Sequence, residues 1–209
     1  MVKQKRDATL TKAKILEKAK YLFSKNGYDA TTTDEIAKES AVNKAMIYYY
    51  FKNKSGLYAS VMSGLFDAIY DEIVAAQQTK KSIEEELETF IKTYAIYAEE
   101  NPYLPALLLR ELSDSGAHLP ELMFSSMRRL FTLLSDILQR GEEKGIFTQS
   151  TPMVIHFMII GTLNLMITTE PLRKRAMQMN ENVDTCSNCT IDTIAIYIFQ
   201  SIRKILEVK

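Results

Sequence analysis

Apolar positions recur at three- and four-residue spacing along most of the 209 residues, and no stretch alternates with the period of two that a half-buried strand needs. The pattern predicts an all-α fold. Ile15, Leu16, Ala19, Leu22 and Phe23 mark one face of a first helix from about residue 11 to 26, which Gly27 ends. Two short helices follow, the first capped by Thr33 and opened by Asp34 and Glu35, the second capped by Asn43. A long helix starts after Asn53 and runs to about residue 76, with Leu57, Val61, Leu65, Ile69 and Ile73 at helical spacing.

Further along, Ser82 and Glu85 form a capping box ahead of Leu87, Phe90, Ile91, Tyr94 and Ala98. Asn101-Pro102 opens a short helix that the 113–117 stretch breaks. The next helix starts near Pro120 and stops near Gly145, and Thr151-Pro152 opens one more. Residues 171–188 read as a polar loop, with at most a helical turn or two over 172–179. Ile191, Ile194, Ala195, Ile198, Ile202 and Ile205 stripe a terminal helix from about 190 to 207.

The gap between the helices capped by Thr33 and Asn43 leaves only a few residues, so the pair must cross steeply, as in a helix-turn-helix. In such a unit the second helix offers its N-terminal residues to the major groove, which here are Lys44, Ala45 and Met46. Tyr48, Tyr49 and Tyr50 follow about 100° apart, so at least one hydroxyl faces outward, within reach of phosphate. Lys52 and Lys54 flank the cap Asn53 and place cations beside a helix N-terminus. Lys3, Lys5 and Arg6 extend the basic surface as a terminal arm.

Net charge sharpens this picture. The chain as a whole is neutral, yet residues 1–54 carry twelve Lys/Arg against six Asp/Glu, and the remainder carries the compensating acidic excess. The division expected is a helix-turn-helix DNA-binding domain over 1–54 and a helical body over 55–209, a ligand-binding and dimerisation domain by the family resemblance that the 9–58 stretch carries. The continuous helix after Asn53 would convert a shift in the body into a rotation of the head.

Gly27-Tyr28, the threonine run with Ile36-Ala37, Val42 and above all IYYYFKNKSGLY resemble the DNA-binding domain of the tetracycline-repressor (TetR) family of bacterial regulators, over about residues 9–58. The resemblance implies phosphate contacts for Thr33, Tyr49, Tyr50 and Lys54, and base-reaching positions for Lys44, Ala45, Met46 and Tyr48. Met46 and Asp34 depart from the residues common in relatives, so an operator sequence does not transfer. The resemblance also implies a homodimer, a palindromic double-stranded DNA operator and a small-molecule effector whose binding releases a repressor.

The stretch 153–169 is too short and too interrupted by His156 and Asn164 for a membrane span, and reads as a buried or interface helix. The apolar surfaces of this helix and the terminal one exceed what one chain easily covers, which places Ile155, Ile159, Ile191, Ile194, Ile198 and Ile202 in a four-helix dimer interface. Tyr94, Tyr97, Tyr103, Met123, Met127, Phe131, Phe157, Met158 and Met166 are candidates to line an adaptable cavity for a largely apolar effector. His118, His156 and Asn164 are candidates for its polar contacts.

Cys186-Ser187-Asn188-Cys189 supplies two thiols, half of a zinc set, with no histidine close in sequence. A thiol switch competes there with an inert loop. Two cysteines in all, and no apolar run behind MVKQKRDATLTKAK, fit a cytoplasmic protein. No Gly-rich phosphate loop, GxSxG or HExxH supports catalysis, and no cofactor is expected. The remaining readings are a ligand-independent or thiol-controlled regulator, and a helical small-molecule binding or enzymatic protein without DNA function.

Overall fold

The structure, a computed structural model, describes residues 2–80, 82–179, 186 and 189–208, with side chains from residue 8 onward. In chain order its helices are α1 (Val2–Asn26), α2 (Thr33–Glu39), α3 (Lys44–Phe51), α4 (Lys54–Gln77), α5 (Ile83–Glu100), α6 (Tyr103–Ser113), α7 (Glu121–Glu143), α8 (Pro152–Thr168), α9 (Glu170–Met179) and α10 (Ile191–Ile205). No strand occurs among the described residues.

Two elements differ from expectation. α1 starts at Val2, well before residue 11, because the preceding run holds good helix formers and neither Gly nor Pro. The side chains of Lys3, Lys5 and Arg6 lie outside the described residues. α9 occupies much of the expected loop as a ten-residue helix. Pro171 sits in its first turn, where a missing N–H is harmless, and Lys174 pairs with Glu170 at 2.6 Å one turn back. The rest of that loop, 180–185 with 187 and 188, lies outside the described residues.

The chain divides into two compact units, Met1–Phe66 with Ala106–Ser126, and Asp67–Pro105 with Met127–Lys209. In the first, Ile15, Ala19, Phe23, Ile36, Ile47, Phe51, Leu57 and Tyr58 form the core. Gly27, at φ +86°, turns the chain out of α1, and the buried Thr31 hydroxyl donates to the Gly27 carbonyl at 2.8 Å.

In the second unit α10 packs chiefly on α5, and both also meet α8. Its core includes Phe90, Ile91, Tyr94, Leu134, Ile137, Ile159 and Leu163. The buried Tyr94 hydroxyl donates to Asn164 Oδ1 at 3.0 Å, which satisfies both polar groups. At the surface Arg129 lies 3.1 Å from Asp67 and 4.0 Å over the Tyr70 ring, tying α7 to α4. The expected Ser82–Glu85 capping box is present on α5.

His156 on α8 is largely buried, its Nδ1 has no hydrogen-bond partner, and its ring stands edge-on to Phe131 at 5.5 Å. Burial lowers its pKa below the ordinary imidazole value. The folded state therefore resists a proton that the unfolded chain accepts, so His156 costs stability as pH falls through the ordinary imidazole range and nothing above it. The urea midpoint of the wild type should fall between about pH 7.5 and about pH 5. Substitution His156→Phe should reduce that fall, and an unchanged pH profile in the variant would contradict the assignment.

Candidate nucleic-acid interface

The α2–α3 pair is built from its caps. Thr32, not the expected Thr33, caps α2: its hydroxyl accepts the Glu35 N–H at 3.2 Å, while the Glu35 carboxylate accepts the Thr32 N–H at 2.9 Å. Thr32 has an acidic side chain three residues ahead, Glu35, whereas Thr33 has Ile36, so the reciprocal bond selects Thr32 over Thr33. Receiving these bonds holds the Glu35 carboxyl below its ordinary pKa. Thr33, one position on, is turned inward, with its hydroxyl 3.5 Å from that of Tyr48.

α2 ends in a tight left-handed turn. Ala41 has φ +52°, its N–H donates to Lys38 O, and the Val42 N–H donates to Ala37 O at 3.0 Å. This is a Schellman closure with Ala where Gly is usual, at a cost of about 1 kcal/mol. Asn43 then caps α3 by accepting the Ala45 N–H at 2.8 Å. Ile47 and Phe51 face inward and anchor α3 against the core.

That anchoring decides which α3 side chains face out. Ala45 is exposed, Met46 and Tyr50 are half-buried, and Tyr49 projects furthest, at 77% exposure, with its ring 5.1 Å from that of Tyr50. Tyr48 is exposed on the same helix. Lys44, at the first position of α3, donates to Asp34 Oδ2 at 2.7 Å, and this bond raises the pKa of its ammonium. Lys54 opens α4, with Nζ 3.2 Å from the Asp29 carbonyl and 4.3 Å from the centre of the Tyr28 ring. The eight predicted DNA contacts thus fall on one compact unit, with Thr33 recessed.

The other two predicted groups are rearranged by packing. Ile155, Ile159, Ile191, Ile194, Ile198 and Ile202 are all buried within the single chain, where they hold α8 and α10 to the unit's core. The apolar face left exposed is instead Val154, Phe157, Met158 and Leu165 on α8, with Ile196 and Tyr197 on α10. Phe157, a predicted pocket residue, is 60% exposed on that face. Tyr94 and Tyr97 are buried, Tyr103, Met127, Phe131 and Met166 are half-buried, and Met123 is buried in the other compact unit.

A cavity of about 390 Å³ lies in the second unit between the end of α5, the α8–α9 junction and the start of α10. Met166 is the predicted residue that reaches it, beside Glu99, Arg173, Ile191 and Ile194. Burial first, and then the like charges of Asp192, Glu170 and Glu100, raise the Glu99 pKa. Cys186 and Cys189, also on its wall, are joined as a disulfide with Cα atoms 5.1 Å apart, just before Thr190 caps α10. His118 lies elsewhere, against Tyr28 and Asp29 of the first unit.

No single helix among the described residues is long and apolar enough to cross a membrane; α8 and α9 reach that length only jointly, across a 60° bend.

A basic helix-turn-helix followed by a purely helical second unit defines a class of bacterial regulatory proteins. Residues 15–61 match the family model described as bacterial regulatory proteins, tetR family, and residues 84–194 match the tetracyclin repressor-like C-terminal domain. The chain belongs to this family. It is 29% identical over 136 residues to "Probable HTH-type transcriptional regulator YttP" of Bacillus subtilis (strain 168), covering 64% of this chain and 66% of that protein. Over 71 residues it is 39% identical to the biofilm operon icaADBC HTH-type negative transcriptional regulator IcaR of Staphylococcus aureus (strain Newman), 34% of this chain and 38% of that one. The chain thus spans under two thirds of the length of each. In fold it is similar to the transcriptional regulator FadR from Bacillus subtilis in complex with stearoyl-CoA, with a TM-score of 0.74 and 19% identity over 93% of this chain and 99% of that one. These relatives are regulators and not enzymes.

Because Lys44 and Asp34 are both exposed, their pair adds little to folding but neutralises a cation at the head of α3. Substitution Asp34→Asn should leave thermal unfolding unchanged. It should raise affinity for duplex DNA and steepen the dependence of log K on log[salt] by up to ~0.9, the equivalent of one phosphate contact. An unaltered slope would show that Lys44 does not face DNA.

Proposed function

We propose that this protein is a dimeric transcriptional repressor that holds palindromic operator DNA and is released by a largely apolar small molecule. The observation that carries the DNA-binding part is the α2–α3 pair, whose α3 presents Ala45, Tyr48 and Tyr49 outward beside Lys44 and Lys54 and is fixed from behind by Ile47 and Phe51. Lys44, Ala45, Met46 and Tyr48 would meet base edges, and Thr33, Tyr49, Tyr50 and Lys54 the phosphates. Thr33 would act through the Tyr48 hydroxyl beside it.

Dimerisation is supported by the apolar face of α8 and α10. Val154, Phe157, Met158, Leu165, Ile196 and Tyr197 form an exposed surface of the kind that a second copy covers by two-fold symmetry. Two copies would present two α3 helices to half-sites about one DNA turn, ~34 Å, apart. The effector must favour the conformation that binds DNA poorly, otherwise it shifts nothing. The stearoyl-CoA held by the FadR relative supports an effector with a long apolar portion. Residues around Tyr94, Tyr97, Phe131 and Met166 are the candidates to meet it, and α4, continuous from Lys54 to Gln77, would carry the change.

Selection of random duplexes with the purified protein at fixed salt should enrich a palindrome. The double variant Phe157→Glu, Tyr197→Glu should shift the protein to monomer in sedimentation and lose the palindrome while keeping weak salt-dependent binding. A wild type that enriches nothing would overturn the repressor reading.

A thiol-controlled regulator is the second reading, favoured by the Cys186–Cys189 disulfide at the cap of α10. Under it, reduction should change operator affinity in the wild type and not in Cys186→Ser, Cys189→Ser. Equal responses in the two proteins would remove it.

A further inference from the structure

The compact unit that holds the helix-turn-helix also contains Ala106–Ser126, a segment far from it in sequence. Arg110 and His118 of that segment grip the end of α1 and the turn after it, and Glu111 between them reaches α4. Arg110 donates from Nε to the Ser24 carbonyl at 3.0 Å and from Nη2 to the Lys25 carbonyl at 2.8 Å. These are last-turn carbonyls with no partner inside the helix, and a cation is favoured at that end. Glu111 is buried and accepts from the Tyr58 hydroxyl and, at 3.3 Å, from the His118 N–H. The His118 ring lies on Tyr28 with centres 4.5 Å apart at 28°. Its Nε2 is 3.3 Å from the Asp29 carboxylate and its Nδ1 3.3 Å from that of Asp114.

The same two residues, Tyr28 and Asp29, form the seat of Lys54. A lysine carries four rotatable side-chain bonds and loses much freedom when its ammonium is fixed. A rigid ring under the ammonium and a fixed carbonyl beside it settle that loss before DNA arrives. Tyr28 also stands edge-on to Tyr58 at 5.0 Å, but His118 is the group that pairs with Asp29 and stacks on Tyr28 at once.

We propose that His118 is a positioning residue for DNA binding: by stacking on Tyr28 and pairing with Asp29 it fixes the seat of Lys54 and so aims that ammonium at a backbone phosphate. The inference rests on the DNA-binding reading above and adds to it a residue remote from the helix-turn-helix in sequence. It also gives Ala106–Ser126 a role in the strength of DNA binding.

The test is fluorescence anisotropy across a potassium chloride series, with a fluorescein-labelled duplex of the sequence retained in selection. Wild type, Lys54→Ala, His118→Ala, the double variant and His118→Phe, which keeps a flat ring on Tyr28, are compared, with thermal unfolding measured on each. Lys54→Ala should flatten the salt slope by ~0.9. His118→Ala should lose several-fold in affinity and part of that slope, the double variant should be no weaker than Lys54→Ala, and His118→Phe, which restores the stack and not the pair with Asp29, should recover part of the loss. A purely structural role would lower the unfolding temperature and leave the salt slope alone. The inference is overturned by a wild-type slope in His118→Ala or in Lys54→Ala, by losses that add in full, or by His118→Phe behaving as His118→Ala. Absence of salt-dependent binding in the wild type would instead overturn the DNA-binding reading itself.

Discussion

The turn between α2 and α3 is the constraint on which the DNA-facing surface depends. Three backbone groups, the N–H groups of Ala41, Val42 and Ala45, must find acceptors within a few residues, and Lys38, Ala37 and the Asn43 side chain supply them. This closure sets the angle at which α3 leaves, and that angle decides that Ile47 and Phe51 enter the core while Ala45 and Tyr49 do not. A non-glycine residue at positive φ is tolerated there because the bonds on both sides over-determine it.

Charge is arranged to match. The cations at the head of α3 and α4 are not left loose: Lys44 is held by Asp34, and Lys54 by the Asp29 carbonyl and the Tyr28 ring. Each contact restricts a flexible side chain at a helix start, where free N–H groups already favour an anion. The acidic partner of Lys44 tempers its attraction for any phosphate, whereas the neutral partners of Lys54 do not. The two lysines therefore bring unequal charge to the DNA-facing surface.

Much of this was legible in the sequence, for identifiable reasons. Asn43 and the Ser82–Glu85 box are local signals, and the structure places both caps as read. The reciprocal bond that selects Thr32 over Thr33 was also readable, from Glu35 three residues ahead. The helical propensity behind α9 was readable in Glu170-Pro171 and Lys174, although a polar composition suggested a loop. Other features had no local signal. α8 is apolar on every side, so its sequence does not say whether Ile155 or Val154 turns inward, and only packing against α5 and α10 decides it. The effector candidates suffer similarly, since Met and aromatic residues at helical spacing serve core and cavity alike. The partnership of His118 with Tyr28 links positions far apart in the chain, and no spacing rule reveals it.

Glu111 bears on how the chain can be taken apart. A buried carboxylate is tolerable only while its partners are in place, and here they are the Tyr58 hydroxyl and the His118 N–H. Burial and this carboxylate raise the Tyr58 pKa, so the hydroxyl keeps its proton and remains a donor. The unit containing the helix-turn-helix is therefore discontinuous in sequence, closed by a segment encoded after α5. A chimera that exchanges residues 1–54 with a relative would leave Glu111 its own partners but join Arg110 and His118 to a foreign α1 end and turn. Transplanting the reading head as a self-sufficient module would require carrying the 106–126 segment with it.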